Sequence, residues 1–127
     1  MTVQQQNFER LQQLLPNLRT LPPAMKLKAP GFMDLNVDVL AKRGQKLVIA
    51  LSHYYKHSSG DMIPDPDMTM AVYFANSTVE ALSYQDCFGY RRAYREDMSV
   101  ESPAIQQELN RFLAFWLRNL LSQGHSA

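Results

Sequence analysis

QKLVIALSHYYKHSSGDMIPDPDMTMAVYFANSTVEALSY, residues 45–84, decides the fold. It holds two apolar runs, LVIALSHYY (47–55) and MTMAVYF (68–74), separated by the polar HSSGDMIPDPD (57–67). A third run, STVEALSY (77–84), turns back after Asn76. Short runs rich in β-branched and aromatic residues, bounded by Gly, Pro, Asn and Asp, read as strands joined by turns. A two-residue turn at Asn76-Ser77 pairs Phe74 with Val79 and Val72 with Ala81, keeping apolar with apolar. The opposite face then carries Thr69, Tyr73, Glu80 and Tyr84, with Ala71 and Leu82 between them, and is expected to face solvent.

Working outward toward the N-terminus, Met33, Leu35, Val37 and Val39 alternate with Asp34, Asn36 and Asp38, which predicts a half-wet strand over 32–40. A two-residue loop at Arg43-Gly44 would set these acids beside Ile49. An odd loop of three residues pairs Val39 with Ile49 and Val37 with Leu51 instead, because a one-residue slip exchanges the two faces. Gly44 is expected to supply the positive backbone angle. On this register His53 continues the Leu47, Ile49, Leu51 face, opposite Leu35 at the edge of the core.

Earlier still, Thr2 and Gln5 have capping-box spacing, and Phe8, Leu11, Leu14 and Leu15 recur at helical intervals until Pro16. Residues 17–31 contain Pro22, Pro23 and Pro30 without a period. They read as an extended connection pinned by Leu18, Leu21 and Leu27. Downstream, Phe88 to Arg95 alternates like a fifth strand. Ser102, Pro103 and Gly124 then frame a helix whose apolar stripe is Ile105, Leu109, Phe112, Leu113, Trp116, Leu117 and Leu120. Gln106, Gln107, Asn110, Arg111, Arg118 and Asn119 fall opposite. The expected architecture is α+β: an antiparallel meander of about five strands, with an N-terminal and a C-terminal helix packed on one face, in a single domain over residues 1–127.

Composition narrows the function classes. With 127 residues, 46% of them hydrophobic, the chain can bury a core without staples. A net charge of +1 gives no broad basic footprint, so no nucleic-acid partner is expected. Cys87 is the single cysteine, and it can form neither an internal disulfide nor a thiolate metal site alone. No apolar run reaches the roughly 20 residues that cross a bilayer, and the N-terminus lacks the order of a signal peptide. The expectation is a cytoplasmic protein without membrane contact.

Candidate chemistry is sparse. His57, Asp61, Asp65 and Asp67 share the 57–67 loop, but their spacing lacks the calcium-loop pattern, and Pro64 and Pro66 read as stiffening of a turn. No metal or cofactor is expected, with Asp61, Asp65 and Asp67 the weak candidates for a cation. Arg91, Arg92 and Arg95 interleave with Tyr90 and Tyr94, as in phosphate or base binders. In a strand, however, Arg92 points away from Arg91 and Arg95, and edge-strand charge explains the run. His53 beside Tyr54 and Tyr55 could serve acid–base chemistry. Packing at a strand end is the plainer reading.

Three stretches, NFERLQQLLP (7–16), DMTMAVYFANSTVEALSYQ (67–85) and ELNRFLAFWLRNLLSQGH (108–125), resemble the YqiB-like family of uncharacterised bacterial proteins, a domain of unknown function. The resemblance implies a bacterial cytoplasmic protein and transfers no catalytic residue. The sequence therefore favours a non-enzymatic binding or adaptor module that takes a protein partner or small ligand. Its contacts would be the open sheet face or the 57–67 loop, with Tyr73, Tyr84, His53, His57 and Arg92 as the binding candidates. The alternative is a small enzyme or nucleotide- or phosphate-sensing domain using His53, Arg92 and the acidic loop. A homodimer through the open face is compatible with either.

Overall fold

The computed structural model describes residues 1–56 and 58–127, with the side chains of Tyr55, Lys56 and Pro64 outside that description. Helix α1 (Val3–Leu14) leads through a 3-10 turn (Leu18–Thr20) into six strands and a final helix. The strands are β1 (Ala24–Leu27), β2 (Leu35–Arg43), β3 (Lys46–Lys56), β4 (Met62–Tyr73), β5 (Thr78–Asp86) and β6 (Gly89–Arg92), and the helix is α2 (Pro103–Gln123). Strand order follows chain order and every neighbouring pair is antiparallel, so the sheet is the expected meander.

The strand count is six where the sequence suggests five. Ala24–Leu27 lies between the Pro22-Pro23 pair and Pro30, contains no proline itself, and adds to the edge of β2 with Leu27 opposite Leu35. Four residues are too few to announce a period. The 57–67 stretch is less of a loop than expected, because β4 already starts at Met62 and pairs back to Lys56.

Local bulges place the side chains. Val39 faces Ile49 and Val37 faces Leu51, as expected, but the turn is the two-residue Gly44-Gln45. The parity change comes from one extra residue, Leu40, bulged out of β2 and left 54% exposed. Gly44 does take a left-handed angle, φ 58°. In the next hairpin the turn is longer than Asn76-Ser77. Tyr73 faces Thr78, Val72 faces Val79 and Met70 faces Ala81. Phe74 instead folds into the turn, where its ring meets Phe8 and the Arg19 guanidinium. This two-residue slip preserves both faces. A second bulge, at Leu82, does not: beyond it Thr69 faces Ser83 and Met68 faces Tyr84.

Both helices cover one side of the sheet. α1 has the predicted capping box, Gln5 N donating to Thr2 Oγ1 at 3.2 Å and Thr2 N donating to Gln5 Oε1 at 2.9 Å. α2 starts with Ile105 N donating to Ser102 Oγ and stops at left-handed Gly124. Under them lie Leu35, Val37, Leu47, Ile49, Leu51, Met68, Met70, Val72 and Val79, closed over by Leu11 and Leu14 of α1 and Leu109, Leu113, Trp116, Leu117 and Leu120 of α2. Burying each large apolar side chain is worth about 1.5–3 kcal/mol before chain entropy is counted. Met33 was expected at core parity but sits before β2 begins, and it is 44% exposed.

Asn110 corrects the reading of α2's polar side: it is 1% exposed. β6 pairs only with residues 83–86 of β5, so Ala81 lies on an uncovered length of strand. Asn110 Oδ1 accepts from Ala81 N at 2.8 Å, while its Nδ2 donates to Glu80 Oε2 and to the Gln106 carbonyl, each at 3.0 Å. From α1, buried Asn7 donates to the Asn110 carbonyl at 3.3 Å. A polar side chain within an apolar stripe is tolerated because it satisfies a backbone donor that would otherwise be buried unpaired.

Candidate functional site

The sheet face away from the helices is built of cross-strand rows. Asp38, Ala50, Thr69, Ser83 and Arg92 form one row across five strands. Asn36, Ser52, Asp67, Gln85 and Tyr90 form the next. On the other flank Val48, Ala71 and Glu80 line up, followed by Lys46, Tyr73 and Thr78. The centre is a floor of small side chains: Ala50, Ser52, Ala71 and Ser83 are all buried although no helix lies over them, screened by the taller residues around them. Thr69 and Ser83 join hydroxyls across it.

The rim is polar and aromatic. Tyr54 donates to Asp67 Oδ2 at 3.2 Å, and Lys46 Nζ lies 5.6 Å from the centre of the Tyr73 ring. Burial raises the Asp67 carboxyl above its usual range, and repulsion from Asp38 adds to this against the opposing Tyr54 hydrogen bond. Burial likewise raises the Tyr54 phenol. Ser52 Oγ is buried and makes no hydrogen bond of normal geometry among the described residues; the neighbouring Tyr54 hydroxyl turns to Asp67 instead.

The residues singled out from sequence do not meet at one place. Tyr73 stands on the open face, half-buried. Tyr84 was expected there too, but the Leu82 bulge carries it to the covered side, where its ring packs 5.1 Å from Phe112. Its phenol, donating to Asp86 Oδ2, is pushed up to about 12 by burial first and by that carboxylate second. His53 is also on the covered side and is 7% exposed. Arg92 belongs to the open face and pairs with Glu101, which raises its already high pKa. Arg91, on the other side, pairs with Glu108 over the Tyr84 ring. His57 lies outside the described residues.

The acidic loop is divided as well. Asp67 is on the open face, while Asp65 is close enough to both His53 and Tyr84 to influence them from the covered side. Asp61 is exposed and accepts from Ser59. Among the described residues no group of three or more histidines, cysteines or acids is placed to hold a metal ion.

A histidine pair that the sequence does not advertise closes the end of the covered side. His53 Nδ1 donates to the Asp34 carbonyl at 2.8 Å, and its ring lies 5.5 Å from Trp116 and 5.8 Å from His125. His125 sits just past the α2 cap with Nε2 2.9 Å from the Met33 carbonyl and Nδ1 3.2 Å from the Leu120 carbonyl. Carbonyls only accept, so a neutral imidazole serves one of the two. Burial lowers the His53 pKa, and His125 lowers it further against the Asp34 contact and Asp65. With Ser126 bridging to Lys28, this pair ties the end of the chain to the strand connection. Each described contact of the pair is to backbone or a ring, which suits a clasp.

Comparison with known proteins adds a family. A model described as a domain of unknown function, DUF6908, matches residues 6–126; this match does not carry the YqiB-like name. No curated protein and no solved structure matches the chain. No helix among the described residues is long and apolar enough to cross a membrane.

Proposed function

The chain belongs to the DUF6908 family, a domain of unknown function, and from that premise we propose that it is a non-enzymatic binding module whose uncovered sheet face seats a protein partner. The observation that carries the reading is the floor of Ala50, Ser52, Thr69, Ala71 and Ser83, sunk between Tyr54 and Tyr73 on a face that neither helix shields. Small residues at the centre of a sheet let another surface approach the backbone closely, and aromatic residues at the margin supply anchoring area. The enzyme reading needs His53 and Arg92 in one pocket. The register sets them on opposite faces, which favours the binding reading.

Hydroxyl-radical footprinting of the protein alone and in extract of the cells that produce it tests the proposal. Tyr54 and Tyr73 are expected to lose reactivity in extract while Phe115, on the outer side of α2, keeps it. Protection of Phe115 with unchanged labelling of both tyrosines would refute the reading. Light scattering of the pure protein identifies the case in which the occupant is a second copy.

A further inference from the structure

We propose that the acidic end of the open face, Asp38 and Asp67 with the hydroxyls of Ser52 and Tyr54, is a socket for a cationic side chain, arginine or lysine, of the protein partner. This deepens the proposed function and rests on it. Asp38 stands opposite Ala50, and Asp67 opposite Ser52, one row along the same face. The two carboxylates are near enough for Asp38 to repel charge on Asp67. Neither forms an ion pair among the described residues, whose two bridges are Arg91–Glu108 and Arg92–Glu101. Lys26 flanks Asp38 diagonally from the edge strand without closing one. Like charges held together on a partly desolvated surface raise each other's energy, and a cation seated between them reverses the sign of that interaction.

Ser52 supplies the independent indication. It is 1% exposed, its side chain lies between Asn36 and Asp67 on this face, and its Oγ lacks a hydrogen bond of normal geometry among the described residues. The Ser52 hydroxyl approaches the Tyr54 hydroxyl without closing a hydrogen bond of normal geometry, and its lone pairs are left for a donor. Tyr54 uses its proton in the hydrogen bond to Asp67, so its oxygen can serve only as a further acceptor. Apart from the Ser52 hydroxyl proton, which can turn to the Tyr54 oxygen, the site thus offers acceptors. A guanidinium, with five N–H donors and no acceptor, or an ammonium, with three donors, matches that set, whereas an anion or a neutral amide does not. The Ala50 methyl on the floor leaves room for the aliphatic stem.

The experiment is a two-dimensional amide NMR titration of the full chain with the tripeptide acetyl-Gly-Arg-Gly-amide, with acetyl-Gly-Gln-Gly-amide as the neutral control. Saturable shifts are expected at Asn36, Asp38, Ser52, Tyr54 and Asp67 with the arginine peptide alone. Affinity is expected to fall about tenfold in the double variant Asp38→Asn/Asp67→Asn and about threefold in Ser52→Ala. Both variants are expected to keep the fold, since an amide oxygen in place of the Asp67 carboxylate still accepts from Tyr54 and Ser52 Oγ makes no hydrogen bond of normal geometry among the described residues. Shifts confined to the surroundings of Glu101 and Glu108, or an affinity unchanged in the double variant, overturn the socket. If the socket fails while the footprint still protects Tyr54 and Tyr73, the open-face reading survives with a different anchor. Loss of both removes the reading itself.

Discussion

Replacing Asn110 by alanine removes the side chain whose Oδ1 accepts from the Ala81 amide on the uncovered length of β5. The Ala81 amide, bonded at 2.8 Å in the native protein, is left buried beneath α2 without an acceptor. An unpaired buried donor costs about 1–3 kcal/mol. Losing the 3.0 Å hydrogen bond to the half-buried Glu80 carboxylate adds on the order of 1 kcal/mol. The sum is about 2–4 kcal/mol, read as a lower denaturant midpoint at unchanged slope. For a domain of this size it lowers the melting temperature by roughly 6–15 °C. Arg118→Ala, on the exposed side of the same helix, serves as the control and is expected to stay within about 0.5 kcal/mol. Asn110→Asp separates the two contacts: it keeps the acceptor for Ala81 but sets a second carboxylate against Glu80, so its loss should be recovered by adding Glu80→Gln. Hydrogen exchange at Ala81 gives the local readout and should accelerate in Asn110→Ala. A variant within about 0.5 kcal/mol of native, with Ala81 still protected, would refute the argument that this side chain guards the strand edge.

Other outcomes follow from the same contacts. The lowered His53 pKa means the unfolded chain binds the proton more readily, so stability is full above the unfolded value of 6.5 and declines as pH falls through the folded value. His53→Gln should flatten that part of the stability profile. Asp67 has the opposite sign: its folded pKa is raised above 3.8, so its ionisation destabilises the native state as pH rises through that window. Asp67→Asn is therefore expected to be neutral or stabilising at pH 7, with no such gain at pH 3, in denaturant titrations. Gly124→Ala forces a side chain into φ 87° at the α2 cap and should cost about 1 kcal/mol. Trp116→Ala, which opens a void between Phe112 and His53, should cost about 3–5 kcal/mol by the same measurement.

Most of the architecture is legible in the chain because its signals are local or strictly periodic. The Thr2 and Ser102 caps, the Gly124 stop and the seven-residue stripe of α2 each need only a few neighbouring residues to act, and the structure has them where the spacing puts them. The Val39–Ile49 pairing is legible for another reason: acids cannot face Ile49 in a core, whatever loop makes the turn. Bulges lack such a signature. An extra residue at Leu40 or Leu82 is chosen by tertiary packing, and each one exchanges the faces of all that follows. Tyr84 is therefore misread from period alone, while Tyr73, before the bulge, is not. Asn110 and His125 are hidden for a related reason, since their partners, Ala81 and Met33, lie 29 and 92 residues away. The small-residue floor could have been found by noting that Ala50, Ser52, Thr69 and Ala71 share one parity across a single hairpin.

The account turns on which side of the sheet meets another molecule. Benzoylphenylalanine placed at Tyr73 on the open face, and separately at Phe115 on the outer surface of α2, replaces an aromatic ring with a photoreactive one in each case. After irradiation in extract of the producing cells, the account predicts a discrete adduct from position 73 and none from position 115. Adducts from position 115 alone would contradict it.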